Sequence, residues 1–164
     1  MHFDGSKREA GAGVGVILTS PQGDKMKYVL RMKFRASNNK AEYEALIHGM
    51  KMAKICGATR LVIYGDSNLV VQQTMNECDA HAENMIAYRA LYNALEGEFD
   101  GCELRHVGRE SNEEADRLAN IGSTCAKVPP GVFLEQICMP SIKRKFPKGS
   151  PEEAEQSGAV LPEG

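Results

Sequence analysis

Between Lys25 and Arg35 the residue type alternates: Met26, Tyr28, Leu30, Met32 and Phe34 are apolar, while Lys25, Lys27, Arg31, Lys33 and Arg35 are basic. So long a period of two commits the segment to an extended strand with one face packed inward and the other carrying a row of cations. The segment before it, AGVGVILTS from Ala12 to Ser20, is rich in Val and Ile and runs into Pro21-Gln22-Gly23-Asp24. Those four residues are turn formers, so the two strands are expected to pair antiparallel as a hairpin. The row of cations reads as the guard of a solvated edge strand in preference to a phosphate-contacting patch.

Downstream the period changes. Asn38 and Asn39 open a helical pattern that reaches about Cys56 and stops at Gly57. Leu61-Val62-Ile63-Tyr64 is a continuous apolar run suited to a central strand buried on both faces. Helical segments near Leu69 to Met75 and Ala82 to Leu95 follow, then a strand from Cys102 to Val107. Ser111 with Glu114 fits the S-x-x-E capping box of a closing helix, which places Ala115, Leu118, Ala119 and Gly122 on one stripe. Three meandering strands followed by helix, strand, helices, strand and helix describe an α/β layer with a mixed sheet, antiparallel first and parallel later.

After Lys127 the composition shifts, and six of the seven prolines lie in this tail. Residues 1–124 are expected to form the domain and 125–164 a Pro-rich linker, largely disordered. Within the tail, Val132-Phe133-Leu134 and Ile137 have the character of a short docked strand, and Lys143-Arg144-Lys145 forms a weak basic cluster. The chain has 164 residues, 42% hydrophobic and 26% charged, enough for one domain with a real core. No apolar run approaches the roughly 18 residues of a membrane span, and the N-terminus lacks the apolar region of a secretion signal. An intracellular protein, cytoplasmic or nuclear, with no membrane partner is expected. Five widely spaced cysteines without a CxxC pair suggest neither zinc nor a disulfide framework, and they read as reduced, mostly buried thiols. A formal net charge of -2 excludes a protein that coats nucleic acid by bulk positive charge, so any such binding needs a local patch or bridging metal ions.

Four acids stand out by position. On a period of 3.6, Glu42 falls in register with Ala45, Leu46, Gly49, Ala53 and Cys56, an apolar stripe, and so points inward. Glu44 shares its side with His48 and Lys51 and reads as solvent-facing. An inward acid is costly unless something cationic compensates it. Asp66 directly follows the apolar strand, at the carboxyl edge where α/β sheets place ligands, although an Asp-Ser pair there is more often a helix N-cap. Asp4 lies in the first strand beside Gly5, which permits close backbone approach. Asp116 flanks the apolar stripe of the last helix, and periodicity alone leaves its role open.

The words FDGS, NNKAEYEALIHG, YGDSNLVV and HVGRESNEEADRLANIG, taken together and in this order, resemble the ribonuclease H domain. The likeness is to the reverse-transcriptase-linked branch found in plant gypsy-type LTR retrotransposon polyproteins, and it covers residues 2 to about 124. The tail VPPGVFLEQICMPSIK is similar to the region that joins ribonuclease H to integrase in such polyproteins. The resemblance implies a ribonuclease H-like α/β fold, a mixed five-stranded sheet in order 3-2-1-4-5 with helices on both faces. It implies an endoribonuclease that cleaves the RNA strand of RNA/DNA hybrids, leaving 5′-phosphate ends.

It also implies a site of Asp4, Glu42, Asp66 and Asp116 holding two magnesium ions, with manganese as a substitute; such a pair of hard cations activates water and holds the scissile phosphate. Substrate contacts are implied at Gly5, Ser6, Ser37, Asn38, Asn39 and Asn68, with Ser37 near a phosphate of the DNA strand. Asn38 and Asn39 read equally as helix caps. Many relatives carry a histidine in a loop before the last acid, whereas this chain has the shorter Gly108-Arg109-Glu110-Ser111; Arg109 is implied as a phosphate contact and His106 as structural. Trp is absent, and so is the basic helix that gives relatives a second grip on hybrid. The implied partners are the RNA/DNA hybrid and the reverse transcriptase and integrase domains of the same polyprotein. A noncatalytic or weakly active nucleic-acid-binding module on the same fold is the alternative; retention of all four acids disfavours it.

Overall fold

The computed structural model describes residues 1–67, 70 and 83–142. The expected hairpin forms from β2 (Gly11–Thr19) and β3 (Lys25–Met32), paired antiparallel from Ala12↔Met32 to Thr19↔Lys25. β1 (His2–Arg8) lies antiparallel to β2 on its other side. β4 (Arg60–Gly65) and β5 (Gly101–His106) then add in parallel, β4 against β1 and β5 against β4. The predicted order 3-2-1-4-5 is therefore present.

A sixth strand extends it. β6 (Val132–Ile137) runs parallel to β3, from Lys27↔Val132 to Met32↔Ile137, and the complete order is β5-β4-β1-β2-β3-β6. The docked-strand character of Val132 to Ile137 is thus realised, and the expected edge role of β3 is corrected: Tyr28 stacks on Phe133 with ring centroids 5.2 Å apart, and β6 is the outer strand. The β3 cations are not simply solvated either. Lys25 and Lys27 pair with Glu114, and Arg31 donates to the Ala126 carbonyl at 2.6 Å. The sheet therefore continues past residue 124, through a part of the tail that composition alone assigned to disorder. The Lys143–Lys145 cluster and the helix near Leu69 to Met75 lie outside the described residues, Val70 excepted.

Two helical layers cover the sheet. α1 (Asn38–Ile55) packs on β1 and β2 and, together with α2 (Glu83–Glu96), closes the larger core of Phe3, Val14, Val16, Leu30, Leu46, Met50 and Ile63. α3 (Glu113–Thr124) covers the opposite face of β1, β2 and β3 over a smaller core of Ile17, Val29, Ala115 and Leu118. Ser37, not Asn38 or Asn39, caps α1: its hydroxyl accepts from the Lys40 amide at 3.1 Å. Gly57, at φ +91°, ends the helix where the sequence placed its stop. The anticipated Ser111–Glu114 box does not form. Ser111 closes a 3-10 turn from Arg109, Asn112 precedes α3, and Glu114 is engaged by lysines.

The cysteine expectation is also corrected. Cys56, Cys125 and Cys138 are exposed and Cys102 is partly buried, all as free thiols; Cys78 lies outside the described residues. The three exposed ones follow the ends of α1, α3 and β6, where the chain turns back to solvent. No helix among the described residues is long and apolar enough to cross a membrane.

Candidate active site

The register of two parallel strands brings the first acids together. Phe3↔Gly65 is the last pair between β1 and β4, so Asp4 and Asp66 are the next residue along each strand, side by side where the strands part. This is the carboxyl edge at which parallel sheets offer a crevice. Glu42 arrives from α1 because β1 has a glycine beneath it. A Cβ on Gly5 would stand 2.4 Å from both the Ala41 carbonyl carbon and the Glu42 nitrogen, so only glycine lets the first turns of α1 lie on the strand. Asp116 arrives by the same device on the other face. A Cβ on Gly15 would meet the Ala115 carbonyl oxygen at 2.3 Å, and Gly15 pairs with Asp4.

Carboxylate oxygens of Asp4, Glu42 and Asp66 consequently lie within 4.8 Å of one another. Asp116 is not one of those three, but it is near enough for its carboxyl to act on that of Asp4. Asp4 is 5% exposed, and burial, with Asp66, Asp116 and Glu42 around it, raises its carboxyl to about 8. Burial likewise raises Glu42; a hydrogen bond from Ser67 and the charge of Arg109 oppose the rise, while Asp66 adds to it. The acids thus repel one another and, among the described residues, lack a full set of protein cations. That donor set, all oxygen and short of positive charge, fits hard divalent ions such as magnesium and does not suit zinc.

The remaining expected contact residues divide. Gly5 donates its amide to Asp4 Oδ1 at 3.0 Å. Ser6 is turned to α3 instead of outward, donating to Asn120 Oδ1 at 2.9 Å and accepting from Ser123 at 3.1 Å. Asn38 accepts the Lys7 amide at 3.1 Å, which ties the start of α1 to the end of β1, and Asn39 is partly buried. Arg109 is exposed in its 3-10 turn, near enough for its charge to act on Glu42. Asn68 lies outside the described residues. His106 is exposed at the end of β5, opposite Gly65. Ser37 lines a cleft of about 480 Å³ with Lys7, Phe34, Arg35, Ala36, Lys40 and Pro140, beside the N-terminus of α1.

Three supporting residues had escaped the sequence reading. Ser67, the partner of Glu42, is an ordinary cap residue by its neighbours, and only its place beside a strand-end acid hints otherwise. Asn112, 1% exposed, donates to the Phe3 carbonyl at 3.0 Å and so fastens the start of α3 to the residue before Asp4. Asn120 donates to Asp116 at 3.4 Å while accepting from Ser6. Neither asparagine carries a periodic signal.

Residues 2–122 match the family model described as reverse transcriptase-like. Ribonuclease HI of Halobacterium salinarum is 36% identical over 121 residues, 73% of this chain and 61% of that protein. The crystal structure of ribonuclease H1 from the same archaeon superposes with a TM-score of 0.69 at 34% identity, covering 76% of this chain and 96% of that one. LC11 ribonuclease H1, solved in complex with an RNA/DNA hybrid, gives a TM-score of 0.65 at 25% identity, with 76% and 96% covered. The chain spans less than two thirds of the curated relatives it matches first, 61% of the archaeal protein and 24% of the mycobacterial ones. The family match over most of the chain, together with the shared strand order, makes this protein a member of the reverse transcriptase-like family with the ribonuclease H fold.

Proposed function

We propose that the chain is a ribonuclease H domain that cuts the RNA strand of RNA/DNA hybrids, leaving 5′-phosphate and 3′-hydroxyl ends. The observation that carries this reading is the convergence of carboxylate oxygens of Asp4, Glu42 and Asp66 within 4.8 Å, with Asp116 near enough to act on Asp4. Asp4, Glu42 and Asp66 would hold divalent cations, with Asp116 completing the site beside Asp4. Bound there, such ions supply Lewis-acid activation of water and of the phosphate.

The chain's own groups hold this arrangement in place. Ser67 stands near enough to Glu42 to ease its charge, Asn120 bonds Asp116, and Asn112 sets the approach of α3 to β1. Rigid support of this kind keeps acids at fixed spacing despite their repulsion. The charge of Arg109 acts on Glu42, which supports a phosphate contact for it beside that acid. Lys7, Arg35 and Lys40 give the cleft at Ser37 the charge to take a second backbone phosphate, which answers the need for a local patch in a chain of net charge -2. Recognition of the 2′-hydroxyl falls to the Gly5 backbone and to Asn38 and Asn39, beside the first acid and at the start of α1.

The four sequence words and the VPPGVFLEQICMPSIK tail support an origin in a gypsy-type retroelement polyprotein of plants, with reverse transcriptase and integrase as neighbouring domains. The test is incubation with labelled RNA/DNA hybrid, duplex DNA, duplex RNA and single strands, in magnesium, manganese or EDTA. Cleavage of RNA in the hybrid alone, lost in EDTA, is the expected result; equal cutting of duplex DNA, or none of the hybrid, refutes the reading.

A further inference from the structure

Outside the acid cluster, the most heavily bonded buried charge among the described residues is Glu44. It has no exposed surface, in contrast to its expected solvent-facing place. Tyr88 of α2 donates to its Oε2, and the Ser141 amide donates to the same oxygen at 2.7 Å. Oε1 accepts from the Ser141 hydroxyl at 2.7 Å and lies 3.2 Å from His48 Nε2. Ser141 Oγ is also 3.3 Å from that imidazole. A carboxylate without water needs every lone pair engaged, and here two of its hydrogen bonds come from one residue.

That residue lies beyond the stretch matched by the family model, residues 2–122. It follows β6, whose last residue Ile137 accepts from the Lys33 amide at 2.7 Å, and it is flanked by Ile142, 6% exposed in the main core. Between them Pro140 forms part of the wall of the cleft that holds Lys7, Arg35, Ser37 and Lys40. The cleft is thus built from two sources: the start of α1 with the chain before it, and an added segment latched down by Glu44.

We propose that Glu44 is a positioning residue, which through Ser141 fixes Pro140 as a wall of the cationic cleft and so sets the fit of that cleft to a backbone phosphate of the hybrid. The proposal rests on the nuclease reading. A fixed wall holds the cleft at one width, so that Lys7, Arg35 and Lys40 meet a phosphate at a set distance, whereas a loosened wall leaves the acids and the hydrolysis untouched.

The test uses the full chain and the variants Ser141→Ala, Ser141→Thr and Glu44→Gln. Cleavage of hybrid is followed in magnesium, hybrid binding by fluorescence anisotropy in calcium, and amide exchange over residues 138–142 by mass spectrometry. Ser141→Ala is expected to raise KM and Kd about two- to tenfold, the weight of one hydrogen bond, with kcat unchanged and exchange at the segment faster. Ser141→Thr keeps the hydroxyl and should keep the wild-type KM. Glu44→Gln should follow Ser141→Ala if it folds, and the two Ser141 variants decide the matter if it does not. Faster exchange with KM and Kd unmoved overturns the proposal, as does a fall in kcat at constant KM. A wild-type chain that leaves the hybrid uncut removes the nuclease reading itself, an outcome distinct from variants that match an active wild type.

Discussion

Asp4 carries the largest energetic tension in the site, and its sign can be worked out. Its carboxyl stands at about 8 when folded and near 3.8 when not, so between those values the folded state keeps a proton that the unfolded state has released. Stability of the metal-free protein must then fall as pH rises from about 4 to about 8. Denaturant melts in EDTA across this range should show the decline, and Asp4→Asn should flatten it; a wild-type profile that is already flat would contradict the burial of this acid. Divalent cations should restore stability at the alkaline end, since they favour the charged carboxylates. Asp66→Asn should lower cleavage by on the order of 100-fold or more while leaving the metal-free fold as stable or more so, because one repelling charge is gone. Cleavage kinetics and melts on the same preparation separate the two effects. Single residues were legible where a word and a position agreed, as at Glu42 and Asp66. Ser67 and Asn120 were not, because a hydroxyl or an amide that braces an acid is chosen by its distance in space and leaves no mark in the local pattern.

Helices and strands were read well where the local pattern itself is strong. β3 and the stop of α1 at Gly57 follow directly from alternation and from glycine's tolerance of positive φ. α1 is different, because the sheet is not its sole partner. Tyr43 stacks on Tyr88 of α2 with centroids 5.1 Å apart, and the segment around Ser141 covers the flank that bears Glu44. A wheel that assigns one face to the core and the other to water therefore misplaced Glu44. Contacts between elements also fix the site: Ala115 rests on Gly15, and Asp116 is the next residue of that helix. Gly15→Ala should force α3 away from β2, with a loss of about 1–3 kcal/mol in urea titration and a drop in cleavage from the displaced Asp116. If the variant melts like the wild type, the close seating of α3 is wrong.

At the scale of the whole molecule, a mixed sheet, antiparallel first and parallel later, could be read from the change between alternating and continuous apolar runs, while the order of the first five strands came only from the resemblance. The sixth strand was only half legible. Proline content argued for a linker, yet Val132 to Ile137 finds the open hydrogen-bonding edge of β3, and long-range pairing of this kind overrides composition. Ending the chain after Gly131 should strip that edge, release Ile137 and Ile142 from the core, and cost about 1.5–3 kcal/mol for each buried side chain. Calorimetry with light scattering should show a lower Tm and self-association through β3; a monomer of unchanged Tm would mean that β6 contributes nothing. Because β6 belongs to the sheet, similarity and cohesion draw the border of this protein in two different places. Cutting by likeness, at residue 122, would divide a unit that hydrogen bonding holds together as far as Ser141.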